Sequence, residues 1–317
     1  MRTGLVAGLG GIALLLILPL LLPDPFYVDI ASQVLVAGLL ALSLNILVGY
    51  CGMSSLGHAV YLGVPAYIYA WLVANTGTGV GLASLAAILG GTALAAFFGV
   101  LALRATGLSF LMITLALGQV VWGLSYRWVS LTGGDNGIRA PRPHLPGVDL
   151  THAVPFYYLV AAVFLVALFF LWQLARSPFA ACLRGARDQP RRMRMLGHPV
   201  WLMQFAAFVL AGFWGSVAGL LYIWDQGFIS PQTMSLQQSA EALLMVILGG
   251  AGTLAGPVVG AVVITIVKTV ISSYVARWSS LLGLIFIVTV MAMPRGIVPG
   301  CARLFSYRPP RRAPVKA

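Results

Sequence analysis

Residues 154–174 read VPFYYLVAAVFLVALFFLWQL, and residues 176–200 read RSPFAACLRGARDQPRRMRMLGHPV. The first stretch holds no charged residue. At about 1.5 Å per helical residue it reaches across the roughly 30 Å of hydrocarbon in a bilayer. The second carries six arginines, Arg176, Arg184, Arg187, Arg191, Arg192 and Arg194, against one acid, Asp188. An uncharged run that ends in a block of arginine marks a membrane helix whose end faces the cytoplasm, because basic loops are retained on that side.

The same alternation covers the whole chain. Further apolar runs fall at Leu5–Leu22, Ile30–Val48, His58–Ala74, Val80–Leu103, Leu108–Tyr126, Trp201–Trp224, Leu236–Gly250, Leu254–Tyr274 and Ser280–Met293. Ten runs in 317 residues leave no room for a large soluble domain. The chain is 60% hydrophobic and 8% charged, with mean hydropathy +0.96. A soluble domain carries about a quarter charged residues, so a water-soluble enzyme and a disordered chain are both excluded. The expected fold is all-α: a polytopic transmembrane bundle of about ten spans forming one domain over residues 1–317, because backbone in lipid must satisfy its own hydrogen bonds. Leu5–Leu22 exceeds the apolar core of about 7 to 15 residues in a signal peptide and reads as an uncleaved first helix. Leu236–Gly250 is the weakest run, being short and interrupted by Glu241.

The net charge of +12 would suggest a nucleic-acid partner in a soluble protein. Here the basic residues sit between the runs and report topology, so none is expected. With ten spans and both termini cytoplasmic, the inward segments hold 14 of the 19 basic residues. The outward segments hold five of the seven acids: Asp24, Asp29, Asp135, Asp149 and Asp225. Three segments stand outside the spans: the external loop 127–153, the cytoplasmic loop 176–200 and the basic tail 295–317. The three cysteines, Cys51, Cys182 and Cys301, lie far apart without metal-ligand spacing and are expected as free thiols.

Three stretches carry candidate function. In the cytoplasmic loop, Pro190 suits the first turn of a helix and Gly197 its end. The bracketed residues Arg191, Arg192, Met193, Arg194, Met195 and Leu196 would form a short rigid knob for a cytoplasmic partner; the plainer reading is a loop that only fixes orientation. Next, residues 45–58 read NILVGYCGMSSLGH. Glycine-interrupted backbone at membrane depth survives only where protein buries it or it lines a wet cavity, and such breaks are where carriers pass their substrates. Asn45, Gly52, Ser54, Ser55, Gly57 and His58 are therefore candidate pathway residues, with Gln119 and Glu241 added as polar groups in the spans. A tight interfacial turn is the alternative. Ser54, Ser55 and His58 have no nearby acid and do not make a protease triad. Third, Gly252, Gly256 and Gly260 recur every four residues, as Gly215 and Gly219 do, which suits close helix packing within the chain or against a second membrane subunit.

Residues 48–52 and 248–252 echo each other at an offset of 200, which suggests an internal repeat around a substrate site. Glu241 and Lys268 are the only charges near the spans, and one acid is a thin basis for ion coupling. Their pairing with each other is one reading, and a place for Glu241 near the outer surface is another. No G-x-x-x-x-G-K-[ST] phosphate loop and no zinc-type cluster occurs, so neither a catalytic site nor a metal site is expected.

At these motifs the sequence resembles the permease subunits of LIV-type (branched-chain amino-acid) ABC importers, most of all the M-type subunit. The stretches that carry the resemblance are residues 44–50 with Gly52 and residues 55–59, residues 130–138, residues 227–231 with Ser235, Met245 through Ala261, and residues 293–296. The resemblance implies a non-catalytic subunit of the bacterial inner membrane, embedded in lipid, that passes a small amino acid. Its implied partners are a homologous permease, two cytoplasmic ATPases that hold ATP and Mg, and a periplasmic substrate-binding protein. It also implies that loop 176–200 is the coupling loop, with Arg187, Asp188, Arg191, Arg192, Arg194 and Gly197 meeting the ATPase. Acidic and alanine residues usually precede that glycine in the family, and here arginines do. Relatives handle urea, amides and other small organic solutes, which leaves those substrates open. An ion-coupled carrier working alone and a membrane-embedded enzyme are the readings from other classes.

Overall fold

A chain this apolar must close its backbone hydrogen bonds locally, and the computed structural model does so almost entirely with helices. Residues 24–143, 150 and 152–274 are described, together with positions 15, 17–19, 280, 283, 284, 287, 291 and 296–300. Most of the runs Leu5–Leu22 and Ser280–Met293, residues 144–149 and 151 of the external loop, and most of the basic tail lie outside the described residues.

The helices are α1 (Pro25–Asn45), α2 (Val60–Thr76), α3 (Val80–Ala102), α4 (Leu108–Arg127), α5 (Ala153–Arg176), α6 (Pro178–Asp188), α7 (Pro190–Met195), α8 (Val200–Gln226), α9 (Leu236–Gly249) and α10 (Ala255–Tyr274). The remaining eight apolar runs all fall on helices. Among the described residues, five are long and apolar enough to cross a membrane: α1 with its extension to Cys51, α3, α4, α5 and α8. The helices α9 and Ala255–Thr269 of α10 are shorter.

Helix α1 is the axis of the bundle. It packs against α5, α8, α9 and α10, and its apolar window is 83% buried where that of α4 is 22%. Helix α8 is its counterpart, covered by α1, α2 and α3. In lipid, polarity cannot decide which face of an apolar helix turns inward, so side-chain size does. Helix α3 shows this directly. Ala83, Ala87, Gly91, Ala95, Gly99 and Ala102 are buried, while Leu82, Leu85, Leu89 and Phe97 are exposed. On α8, Gly212 faces this surface of α3, while Gly215 and Gly219 face α2. A Cβ on them would meet Ala95, Tyr61 and the Leu62 carbonyl respectively.

A two-residue antiparallel pair, β1 (Ile138–Arg139) with β2 (Phe228–Ile229), ties the segment after α4 to the segment after α8. That end of the bundle also holds Arg142, whose guanidinium stands 3.2 Å from Asp29 and 3.8 Å from Asp225. Helix α6 sits at the opposite end of α1, against its extension Ile46–Cys51, and α7 packs on α6 and α8.

Candidate functional site

Helix α1 does not stop at Asn45. Its last turn widens into a π-helical segment, Ile46–Cys51, and ends on Gly52 at φ 70°. A π turn inserts an extra residue and often marks a functional site. This one is held from two sides. Arg187 on α6 donates from Nη1 to the Gly49 carbonyl at 2.8 Å, and its Nε donates to Asp188 Oδ1 at 3.0 Å. Asn45 clasps the opposite elbow: its Nδ2 donates to the Thr253 carbonyl at 2.9 Å, and its Oδ1 accepts from the Gly252 N–H at 2.8 Å. The two glycine-rich stretches that echo each other in sequence therefore touch.

Gly252 needs a correction. It precedes α10, at φ 83° in the turn after α9, and is not on a helical face with Gly256 and Gly260. The four-residue repeat breaks because Gly252 supplies the elbow that Asn45 holds. Gly256 and Gly260 do lie on α10, where a Cβ would overlap the Gly250 and Met245 carbonyls.

The residues expected to couple separate into two groups. Arg187 spends its guanidinium on the protein's own backbone, at the root of the loop. Arg191, Arg192 and Arg194 are exposed on α7, none of whose residues is buried. Met195 and Leu196 stand 85% and 71% exposed beside them. The knob is rigid because its end is closed by a double hydrogen bond, His198 N–H to Met193 O at 3.1 Å and Gly197 N–H to Arg194 O at 3.0 Å. This is the Schellman arrangement, and it requires the left-handed φ of 82° that Gly197 adopts. The preceding helix α6 escaped the sequence reading, although Ser177 followed by Pro178 signals a capped start. Ser177 Oγ accepts from the Ala180 N–H at 3.3 Å.

Residues 52–59 turn back into the bundle. Ser55 and His58 are buried, with His58 fully covered. Ser43 Oγ donates to the Leu40 carbonyl and lies 2.8 Å from His58 Nε2, which leaves the hydroxyl to accept from that nitrogen. Leu56 N–H reaches Thr114 Oγ1 on α4, and Ala59 N–H reaches Ser239 Oγ on α9. Gly57 lies so close to α4 that a Cβ would overlap the Thr114 carbonyl. Ser54 is half-buried beside them, and Gln119 is half-buried farther along α4.

None of those groups lines the polar cavity of the bundle. That cavity, about 370 Å³, lies between α1, α8, α9 and α10. Glu241 is the one pathway candidate on its wall, joined by Gln33, Tyr222, Asp225, Gln238, Thr265 and Lys268. Lys268 Nζ donates to Glu241 Oε2 at 2.9 Å, the pairing that the sequence left open. Asp225 was counted as a loop acid, yet its side chain is 3% exposed at the end of α8. Along α1 the cavity runs from Gln33 to Leu40, about 10 Å of helix. The Asn45 clasp follows on the side of the arginine knob. Among the described residues no group of three or more His, Cys, Asp or Glu is placed to hold a metal.

Comparison with known proteins agrees with this architecture. The model of a family described as "Branched-chain amino acid transport system / permease component" matches residues 26–291. The high-affinity branched-chain amino acid transport system permease protein LivM of Escherichia coli (strain K12) is 28% identical over 298 residues, covering 86% of this chain and 70% of the relative. The autoinducer 2 import system permease protein LsrC of Salmonella typhimurium is 29% identical over 197 residues, 58% of this chain and 53% of the relative. Its counterpart in Photorhabdus laumondii is 33% identical over 92 residues, covering 27% of this chain and 28% of the relative. No solved structure matches.

Proposed function

We propose, because the chain belongs to the family of branched-chain amino acid transport system permeases, that this multi-pass membrane protein is the permease subunit of an ABC importer. In this reading it sits in the bacterial inner membrane with ten spans and both termini cytoplasmic. It pairs with a homologous permease and receives a small amino acid from a periplasmic binding protein. Two ATPases supply ATP hydrolysis with Mg, and this chain binds no cofactor itself. Urea and amides are the alternative substrates within the family.

The observation that carries the reading is the α6–α7 knob. It presents Arg191, Arg192 and Arg194 with Met195 and Leu196 to solvent on a helix fixed at its far end by Gly197. Its root, Arg187, holds the Gly49 carbonyl of the π turn, and Asn45 at the start of that turn holds Gly252 and Thr253. A push on the knob therefore reaches two elbows through these hydrogen bonds and through the packing of α6 on Ile46–Cys51. The exposed cations favour an acidic groove on the ATPase. Asp225 and Gln226 line the cavity at the end of the bundle away from the knob, which supports entry of solute from the external side.

Replacing Arg191 and Arg194 together by Glu tests the assignment. ATPase co-purification is expected to fall by about tenfold or more, as loss of close charge pairs at an interface costs more than about 1.4 kcal/mol. Unchanged recovery refutes the docking role. Solute uptake by the chain alone under an ion gradient refutes the ATP-driven reading and favours a carrier.

A further inference from the structure

We infer that the cavity between α1, α8, α9 and α10 is a charge-selective binding site within the permease itself, and that it takes a zwitterionic solute by opening the Glu241–Lys268 ion pair. The inference rests on the transport reading above and assigns to this chain a selectivity that the reading leaves to the binding protein.

Charged side chains inside membrane spans are costly, and those that occur face a pathway or cavity. A pair of opposite charges is held in the cavity wall, with Lys268 Nζ 2.9 Å from Glu241 Oε2 and the Glu241 side chain 3% exposed. The Lys268 side chain is 38% exposed, so the pair is half-buried; such a pair adds little to stability, so packing alone does not account for it. Glu241 also accepts from Gln237 Nε2 at 3.4 Å, which orients its carboxylate on α9. At the cavity's outer end Asp225 Oδ1 is buried without a hydrogen-bond partner, and Arg142 Nη2 stands 3.8 Å from it. The other Asp225 oxygen accepts from Gln226 Nε2 at 3.0 Å. A carboxylate oxygen in that position is matched by an incoming N–H donor.

The arithmetic of charge selects the solute class. The wall holds Asp225, Glu241 and Lys268, and the Arg142 guanidinium 3.8 Å away offsets Asp225; on that balance a net cation or anion entering the cavity would leave one charge uncompensated, at a high cost. A zwitterion adds none. Its carboxylate meets Lys268 as its ammonium meets Glu241, so one ion pair becomes two and both side chains stay satisfied. A neutral amide of the same shape cannot replace either partner of the pair and gains nothing by opening it. Gln33, Gln238, Thr265 and Tyr222 supply further polar contacts on the same wall. The volume of about 370 Å³ lies in the range of small-molecule sites. Val36, Ala37, Leu40, Ala242 and Met245 give an apolar floor for a side chain.

The test uses the purified membrane assembly in lipid nanodiscs without any substrate-binding protein, and labelled L-leucine as the probe. Saturable leucine binding is expected. L-valine should displace it, whereas leucinamide (a cation), isovalerate (an anion) and isovaleramide (neutral) should not at the same concentration. The double variant Glu241→Gln/Lys268→Met removes both charges and leaves neither orphaned. It is expected to assemble and to bind leucine about tenfold more weakly or worse. Absence of saturable binding overturns the inference. Equal displacement by isovaleramide, or wild-type affinity in the double variant, does the same. Should the double variant not be recovered, the competition series on the wild type decides alone. ATPase recovery read on the same preparation judges the docking assignment separately from the cavity.

Discussion

Removing the Asn45 side chain should loosen the knob-side closure of the bundle by an amount that a native thiol can report. In Asn45→Ala the Gly252 N–H and the Thr253 carbonyl lose their bonds of 2.8 and 2.9 Å. Each such bond contributes about 0.5–1.5 kcal/mol net, and a buried group left unsatisfied costs about 1–3 kcal/mol. Asn45 is 1% exposed, whereas Gly252 is exposed and Thr253 half-buried, so the lower figure, about 1 kcal/mol for each of the two bonds, applies. A loss of about 2 kcal/mol follows, which multiplies the population of the opened elbow by about thirtyfold. Cys51 ends the same π turn and is 4% exposed. With Cys182 and Cys301 replaced by Ser, Cys51 is the sole thiol, and its labelling by a membrane-impermeant maleimide samples the open state. The labelling rate should rise about thirtyfold in Asn45→Ala. A rise of less than about threefold would show that the two elbows are held by something other than Asn45, and the clasp would have no mechanical role.

Gly57→Ala should lower the thermal stability of the purified assembly by about 1–3 kcal/mol, since the new methyl overlaps the Thr114 carbonyl and backbone cannot give way cheaply. Gly123→Ala on α4 meets nothing within 4 Å and should leave the melting temperature unchanged or raised; equal behaviour of the two variants refutes the packing argument. With Cys51 and Cys301 replaced by Ser, half-exposed Cys182 on α6 should react with an impermeant maleimide in inside-out vesicles and not in intact cells. Labelling from outside would reverse the proposed topology.

The membrane class was legible in the sequence because transfer into lipid depends on composition over about twenty residues, a local property. Helix positions were legible for the same reason: a helix satisfies its hydrogen bonds within its own segment. The Pro190-to-Gly197 bracket was readable because caps are decided by neighbours in sequence. So was the small-residue face of α3, although its four-residue spacing passed unremarked among so many apolar positions.

The site was not legible in that way. Glu241 and Lys268 are 27 residues apart, Asn45 and Thr253 are 208 apart, and Arg187 and Gly49 are 138 apart. Sequence flagged all of these residues except Thr253 by type, since polar groups and glycines stand out in apolar runs. It did not separate Arg187, turned inward on the π turn, from the exposed arginines of α7, nor place Asp225 in the cavity wall. Apolar helices have many faces of equal hydrophobicity, so hydropathy leaves their rotation and neighbours undetermined. Close packing of side chains of different size makes that choice, and only in the packed bundle do the lone polar groups find one another.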